Sequence, residues 1–306
     1  MNFSSASFSF RKFGAFAALL FAGAAAVPAE PLRYAGSDFL AGAPEEAFAA
    51  GLEKIAGEKP EAELRGSIAG EAALRAGKAD FAALMLPGNG ENVPEIRDGT
   101  WKAIPLAYQV AYVVVAAANP ANEITFDQLA SVFGNFAQKT AEKWEDLGVE
   151  GFSSALQPCV GDSSRTNVVS YFQRKALPRY ALRASVRELV SDDAVYKEIV
   201  NNPGTIAVVG SAVPAGIPVK ALAVADTRGD ANATPYSPSF ANVYNRDYPL
   251  AVPLCIVYPA KNRLQLKAAL SFLYSQEMAD ALAGAGFLPL ERRVREQFQK
   301  GIDNIK

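Results

Sequence analysis

The long apolar run IPLAYQVAYVVVAAANP, residues 104–120, constrains the fold more than any other segment. Its β-branched and aromatic residues favour an extended strand over a helix. The run is about two to three times as long as a typical strand, so we expect it to pass between two lobes. A second extended segment, YPLAVPLCIVYP at residues 248–259, is placed to carry the chain back.

The segment before this run alternates between predicted strands and helices. It reads, in order, as strand LRYAG, helix APEEAFAAGLEKIAG, strand EAELRG, helix SIAGEAALRAG and the strand-to-loop segment KADFAALMLPG. This β-α-β-α-β order favours a mainly parallel sheet covered by helices.

The segment after the run continues the pattern. TFDQLASVFGN predicts a helix with Thr125 as its N-cap and Gly134 at its end. SDDAVYKEIVNNPG predicts a capped helix, TIAVVG a buried strand, and LQLKAALSFLYSQEMADALAGAGFLPL either a helical hairpin or a broken helix. The basic segment RRVREQFQK, residues 292–300, is typical of a solvated helical face. We therefore predict lobe 1 at residues 30–108 plus 258–306, and lobe 2 at residues 109–257.

The N-terminus has the pattern of a secretory signal. Arg11 and Lys12 precede an apolar run too short for a comfortable membrane span, and small residues suited to signal peptidase follow. We expect residues 1–29 to be cleaved and the mature chain to be periplasmic. No cysteine follows the apolar run, so no lipid anchor is expected. Cleavage changes the formal charge from 30 − 32 = −2 to 28 − 32 = −4. A mildly acidic chain without a basic run argues against a nucleic-acid partner.

The chain has no histidine and two cysteines. The absence of histidine excludes Ser-His-Asp and Cys-His catalysis and the common histidine-containing zinc sites. We therefore expect no enzyme activity, no metal and no cofactor. Cys159 and Cys255 lie in strand-like apolar stretches, where either a disulfide or two buried free thiols would be consistent with the sequence.

The stretch VGDSSRTNVVSYF, residues 160–172, is the first candidate site. A short strand, LQPCV, runs into small polar residues and one arginine, and helical spacing follows. Hydroxyls, amides and a cation at the start of a helix suit an anion. Asp162 and Ser163 would equally serve as ordinary N-caps.

These segments together resemble the phosphate-type (PstS-like) solute-binding proteins of ABC importers, in the type II periplasmic binding protein superfamily. The resemblance covers most of the mature chain and rests on segments in the family's order, namely AGSDF, AAANPANEITFDQLASVFGN, KWEDLG, SSRT, NNPGTIAVVG, YPLAVPLCIVYP and LSFLYSQEMADALAGAGFLPL. It implies an α/β fold of two lobes. Each lobe would have a central mixed sheet with helices on both faces, and two crossing strands would form the hinge.

The resemblance also implies a ligand site in the cleft between the lobes. The first lobe would contribute Gly36, Ser37 and Asp38, and the second would contribute Ser163, Ser164, Arg165 and Thr166. Asp38 would either accept a hydrogen bond from a protonated oxyanion or cap the following helix.

Two departures from the family pattern stand out. The family's Ser-Gly-Thr turn is here Ser164-Arg165-Thr166, and the family's preceding arginine has no counterpart near Cys159. Arg165 would either supply that charge by a bidentate contact or point to solvent. After the third strand, residues 82–87 offer only backbone groups where relatives place Ser or Asp. A larger or less polar anion would also suit such a wall.

The sequence therefore predicts a monomeric periplasmic solute-binding protein that captures phosphate or a related small oxyanion for an ABC permease. The alternative is a sensory or interaction module of the cell envelope, built on the same fold without a transported ligand.

Overall fold

The computed structural model describes residues 31–161 and 167–304, which alternate between strands and helices. The strands are β1 Arg33–Gly36, β2 Glu61–Glu63, β3 Phe81–Met85, β4 Trp101–Val110, β5 Tyr112–Ala116, β6 Glu123–Thr125, β7 Gln157–Val160, β8 Arg187–Glu188, β9 Thr205–Val209, β10 Val219–Ala221, β11 Ala223–Ala225, β12 Ala251–Pro259 and β13 Leu288–Pro289. The α-helices are α1 Ala43–Ala56, α2 Ser67–Arg75, α3 Pro94–Arg97, α4 Phe126–Phe133, α5 Val168–Ala176, α6 Asp192–Asn201, α7 Phe240–Tyr244, α8 Lys267–Leu273, α9 Gln276–Gly284 and α10 Arg292–Asp303. Short 3-10 helices lie at Asp38–Leu40, Pro87–Gly90, Trp144–Leu147, Pro178–Tyr180 and Ala260–Asn262.

Two main sheets share one connection pattern. The first has the order β13-β4-β12-β3-β1-β2, with β2, β1 and β3 parallel and β12 antiparallel to both β3 and β4. The second has the order β10-β5-β9-β7-β8, with β8, β7 and β9 parallel and β5 antiparallel to β9. Each sheet thus combines a β-α-β-α-β unit with an antiparallel fourth strand. Strands β6 and β11 form a separate parallel pair.

The chain crosses between the sheets at Ala111. Val110 is the last residue of β4 and pairs with Ala251 of β12 in the first sheet. Tyr112 is the first residue of β5 and pairs with Val209 of β9 in the second. The long apolar run is therefore two strands joined by one residue, which confirms the predicted crossing.

Buried hydrogen bonds hold this crossing in place. The Ala111 amide donates to the Leu250 carbonyl at 2.8 Å, and the fully buried Tyr248 hydroxyl donates to the Ala111 carbonyl at 2.7 Å. Tyr248 and Leu250 precede β12, and β12 lies entirely in the first sheet. The return crossing is therefore made before this strand, and residues 251–257 belong to the first sheet, although the predicted boundary at 257 gave them to lobe 2. Residues 109–110 of β4 belong to the first sheet as well, although the predicted boundary after 108 gave them to lobe 2.

The helix caps follow the sequence closely. Thr125 accepts a hydrogen bond from the Gln128 amide, and the Gln128 side chain accepts one from the Thr125 amide, so α4 begins with a capping box. Gly134 ends this helix, and Ser191 caps α6 as predicted. Apolar positions of α4 at helical spacing, such as Leu129 and Val132, are buried in the core.

The two cysteines are free and buried, one in each sheet. Cys159 lies in β7 and Cys255 in β12. The disulfide that the sequence left open is therefore absent from this structure. Among residues 31–161 and 167–304, no helix combines the length and apolar character that a membrane span requires.

Candidate functional site

The first predicted site segment follows β1. Gly36 ends the strand at φ 145°, and its Cα lies directly against the backbone of Ala83 in β3, so that a Cβ there would overlap that backbone. The Ser37 amide donates to the Ala83 carbonyl at 2.8 Å, and the side chain is buried. The Ser37 hydroxyl oxygen accepts from the Phe39 amide at 3.4 Å. Ser37 is thus the N-cap of a short helical turn, and its O–H proton is not used by that bond.

Asp38 begins this turn and is exposed. Its carboxylate forms no hydrogen bond with another residue that the structure describes. The next helix, α1, begins later, with Gly42 at its N-cap position and no side-chain cap. The interpretation of Asp38 as the cap of the following helix is therefore wrong, because the 3-10 turn separates the two. The acceptor role stays a prediction.

The wall after β3 is apolar, and its backbone groups are already used. Leu84 and Leu86 are buried. The Met85 amide donates to the Ser67 hydroxyl at 2.9 Å, and the Leu86 amide donates to the Pro253 carbonyl at 2.9 Å. These amides therefore serve the fold rather than a ligand.

The second predicted site segment follows β7. Gly161 is buried, and its amide donates to the Val208 carbonyl of β9 at 2.9 Å. The predicted ligand residues 163–166 and the candidate cap Asp162 lie outside the described residues. The description resumes at Asn167, which precedes α5 and makes no side-chain cap bond.

Asp192 is a polar residue of this region that the sequence analysis missed. It is the first residue of α6, and its Oδ2 atom accepts three hydrogen bonds, from the Gly210 amide at 3.0 Å, the Ser211 amide at 2.8 Å and the Ser211 hydroxyl at 2.7 Å. Its other oxygen, Oδ1, lies against the Cα of Gly161, where an added Cβ would overlap it. The SDD segment carried only a capping signal, and Ser191 provides that cap.

The register places both glycines at adjoining sheet edges. Strands β1 and β3 end at the edge of the first sheet where β4 also ends. Strands β7 and β9 end at the edge of the second sheet where β5 begins. Because only Ala111 separates β4 from β5, the two carboxyl-terminal edges adjoin each other. In open α/β sheets such edges are where ligands bind.

Further contacts join segments near these edges. The Tyr171 hydroxyl of α5 donates to the Ala251 carbonyl at the start of β12, at 3.0 Å, and burial raises the pKa of Tyr171. An exposed ion pair joins Arg246 to Glu91 at 2.9 Å. In the part of the chain that the structure describes, no cluster of three or more His, Cys, Asp or Glu side chains is arranged to hold a metal ion.

Two sheets with adjoining edges and paired crossings define a two-lobed periplasmic binding protein fold. Residues 23–277 match the family model described as the PBP superfamily domain, and the chain belongs to this family. The curated Protein SphX of Synechococcus elongatus is 27% identical over 221 residues, which is 70% of this chain and 64% of SphX. The chain thus spans less than two thirds of that relative.

Solved structures share the fold at low sequence identity. A possible phosphate binding protein from Planctomyces limnophilus is 19% identical with a TM-score of 0.69, and the match covers 90% of this chain and 98% of that one. An ABC-type phosphate transport receptor from Vibrio cholerae is 18% identical with a TM-score of 0.58, covering 85% of this chain and all of that one. At identities this low, the structural similarity shows the fold alone, and this fold agrees with the predicted fold class.

Proposed function

We propose that this protein is a periplasmic solute-binding protein that captures phosphate or a related small oxyanion for an ABC importer. The ligand lies between the adjoining sheet edges and undergoes no chemical change. The observation that carries the proposal is the adjoining of these two edges at Ala111, with a close-packed glycine at the end of β1 and another after β7. The names of the two solved relatives, which mention phosphate, point to the same ligand class.

The proposed ligand residues are Gly36, Ser37 and Asp38 on one side and Ser163, Ser164, Arg165 and Thr166 on the other. On the first side, Ser37 has a hydroxyl proton to donate, because its oxygen accepts the Phe39 amide. As the first residue of a helical turn, Asp38 has an amide without an intrahelical partner. Its exposed carboxylate accepts a hydrogen bond from a protonated oxyanion and repels a fully ionised one.

We further propose cleavage after residue 29, a monomeric mature protein, and ABC permease subunits as partners. The lobe division is residues 30–108 plus 258–306 against 109–257, with 109–110 and 251–257 moved to the first lobe because these ends of β4 and β12 pair with each other there. The ligand enters when the lobes are apart and supplies contacts that favour the closed state.

The test is calorimetric titration of the purified protein with phosphate, with sulfate titrated in parallel. We expect a dissociation constant of about 1 μM or tighter for phosphate, and weaker binding of sulfate because it carries no proton for Asp38. Arg165→Ala should weaken phosphate binding if this arginine replaces the missing family charge. Arg174→Ala, which removes the same charge from an exposed position of α5, is the matched control. No heat at millimolar phosphate would contradict the proposal and favour the interaction module.

A further inference from the structure

Asp192 occupies a set of donors that would otherwise suit an external anion. Two successive amides and a hydroxyl, from Gly210 and Ser211, converge on one of its oxygens. Backbone amides arranged in this way bind carboxylates and phosphates in many proteins. The Tyr196 hydroxyl donates to the Ser211 carbonyl at 2.8 Å, which fixes the same turn from the other side. The turn after β9 is therefore satisfied from within the chain.

The same carboxylate touches the strand that leads to the predicted ligand segment. Asp192 Oδ1 lies against Gly161, and Gly161 is also tied to β9 through the Val208 carbonyl. Asp192 thus contacts the ends of both β7 and β9, from its own position at the start of α6. The equivalent position in the first sheet unit is Ser67 at the start of α2, which accepts a single amide bond from Met85 at the end of β3.

We propose that Asp192 is a positioning residue of the anion site, which holds Gly161 at a fixed place relative to the turn after β9. This inference rests on the proposed anion-binding function, and it assigns Asp192 no contact with the ligand. Its role is to supply an acceptor oxygen to the Gly210 and Ser211 donors and, at the same time, to fill the space beside Gly161. The carboxylate charge works against the anion, because like charges near one site repel each other.

Two substitutions separate position from charge, because the two explanations predict opposite results for Asp192→Ala. Asp192→Asn keeps an acceptor oxygen for the Gly210 and Ser211 donors and removes the charge. Asp192→Ala removes both. If Asp192 acts through position, the alanine variant binds phosphate more weakly and the asparagine variant binds as well as wild type or more tightly. If Asp192 acts only through charge, both variants bind more tightly.

The experiment combines calorimetry with inorganic phosphate and amide hydrogen exchange of the ligand-free protein. Asp193→Asn is the matched control, since Asp193 is the next residue of the same helical turn and is exposed. We expect Asp192→Ala to raise the phosphate dissociation constant about tenfold and to speed amide exchange in residues 157–161 and 205–211, because partly buried donors lose their acceptor. Asp192→Asn should stay within about threefold of wild type or bind more tightly, and Asp193→Asn should change neither measurement.

A double variant tests the contact itself. Gly161→Ala should weaken phosphate binding because the new methyl group meets Asp192 Oδ1, and combining it with Asp192→Ser should cost less than the two single changes together, because serine is shorter. Contacting residues commonly show such coupling.

Tighter or unchanged binding by Asp192→Ala, an equal loss in Asp192→Ala and Asp192→Asn, or unchanged exchange in residues 157–161 would each overturn the proposal. If wild type binds no phosphate, the proposed function fails, and the exchange rates still decide whether Asp192 positions Gly161.

Discussion

The two sheets follow the same strand order, but the edges where a ligand would lie are fixed in different ways. In the first, Gly36 lies against the backbone of Ala83, and a Cβ added to Gly70 of α2 would lie 2.6 Å from the Gly36 Cα. In the second, Gly161 lies against a side-chain carboxylate, that of Asp192. At Gly36, an added methyl group would overlap backbone atoms, which cannot shift without moving the strand. At Gly161, it would overlap a side chain, which can adopt another rotamer. The same topology therefore gives one edge set by the main chain and one set by a replaceable residue.

The largest expected effect comes from adding a methyl group to each glycine. In Gly36→Ala the new Cβ meets the Ala83 backbone, including its carbon and nitrogen at 2.8 Å, at a positive φ that disfavours L-residues. We expect a loss of about 3 kcal/mol or more in the free energy of unfolding. Gly161→Ala meets only the end of the Asp192 side chain, and should cost about 1–2 kcal/mol. Urea unfolding measures both.

Gly42→Ala is the control for backbone strain without overlap. Gly42 has φ 90°, and no atom lies within 4 Å of an added Cβ. Because its ψ of −132° lies outside the left-handed helical region, the change should cost about 1–3 kcal/mol. If Gly36→Ala is no less stable than Gly42→Ala, the overlap with the Ala83 backbone adds no cost. The first edge would then tolerate a methyl group as well as the second, and the contrast between the two edges would be lost.

Local sequence patterns predicted the elements of both halves well. The β-α-β-α-β order before residue 104, the α4 cap at Thr125 and the α6 cap at Ser191 are all present in the structure. These features depend on residues within one helical turn or one strand, so neighbouring residues in the sequence are enough to predict them. A crossing within the apolar run was predicted from its length, as one long strand with the lobe boundary after residue 108, whereas the structure divides the run into two strands at Ala111.

What escaped prediction depends on contacts between distant residues. Asp192 meets Gly210 and Ser211 only because α6 packs beside β9, and nothing in SDDAVYKEIV distinguishes it from the exposed Asp193. Arg295 shows the same limit, because the basic segment 292–300 predicted a solvated face. Arg295 is instead 7% exposed and donates to the Leu290 and Tyr274 carbonyls. Both halves of the ligand site stay predictions, and residues 163–166 also lie outside the described part of the chain.

The next effect concerns two tyrosine hydroxyls that join the halves. Tyr248→Phe removes a fully buried bond and leaves the Ala111 carbonyl without this donor at the crossing. We expect a cost of about 1–3 kcal/mol. Tyr171→Phe removes a partly buried bond from α5 to Ala251, and should cost about 0.5–1 kcal/mol. Thermal unfolding of the two variants compares the stability that each one loses. Equal losses would show that the Tyr248 bond at the crossing stabilises the fold no more than the Tyr171 bond of α5.

The last comparison uses the two cysteines, because one lies in each sheet. Burial raises the pKa of both Cys159 and Cys255 to about 12, above the ordinary thiol value near 8.5. The folded state therefore keeps protons that the unfolded chain loses, so this contribution to stability is complete below about pH 8.5 and is lost as the pH rises towards 12. Between pH 8 and pH 10 we expect the wild type to lose about 1–2 kcal/mol more stability than each cysteine-to-alanine variant loses over the same range, measured by urea unfolding at the two pH values.

The thiols also report which sheet opens first. The folded protein should resist a thiol reagent at pH 8, and unfolding without a reductant should expose two reactive thiols, whereas a disulfide would expose none.

In mild urea, we expect Cys159 to be labelled before Cys255. Cys159 lies two residues before Gly161, whose position depends on one side chain, while Cys255 pairs with Leu84 beside the close-packed Gly36–Ala83 contact. Asp192→Ala should widen the difference in labelling rate, because it removes the contact that holds the end of β7. Equal rates in both proteins would mean that the two sheets open as one unit, and that the Asp192 contact adds nothing to the local stability of the second.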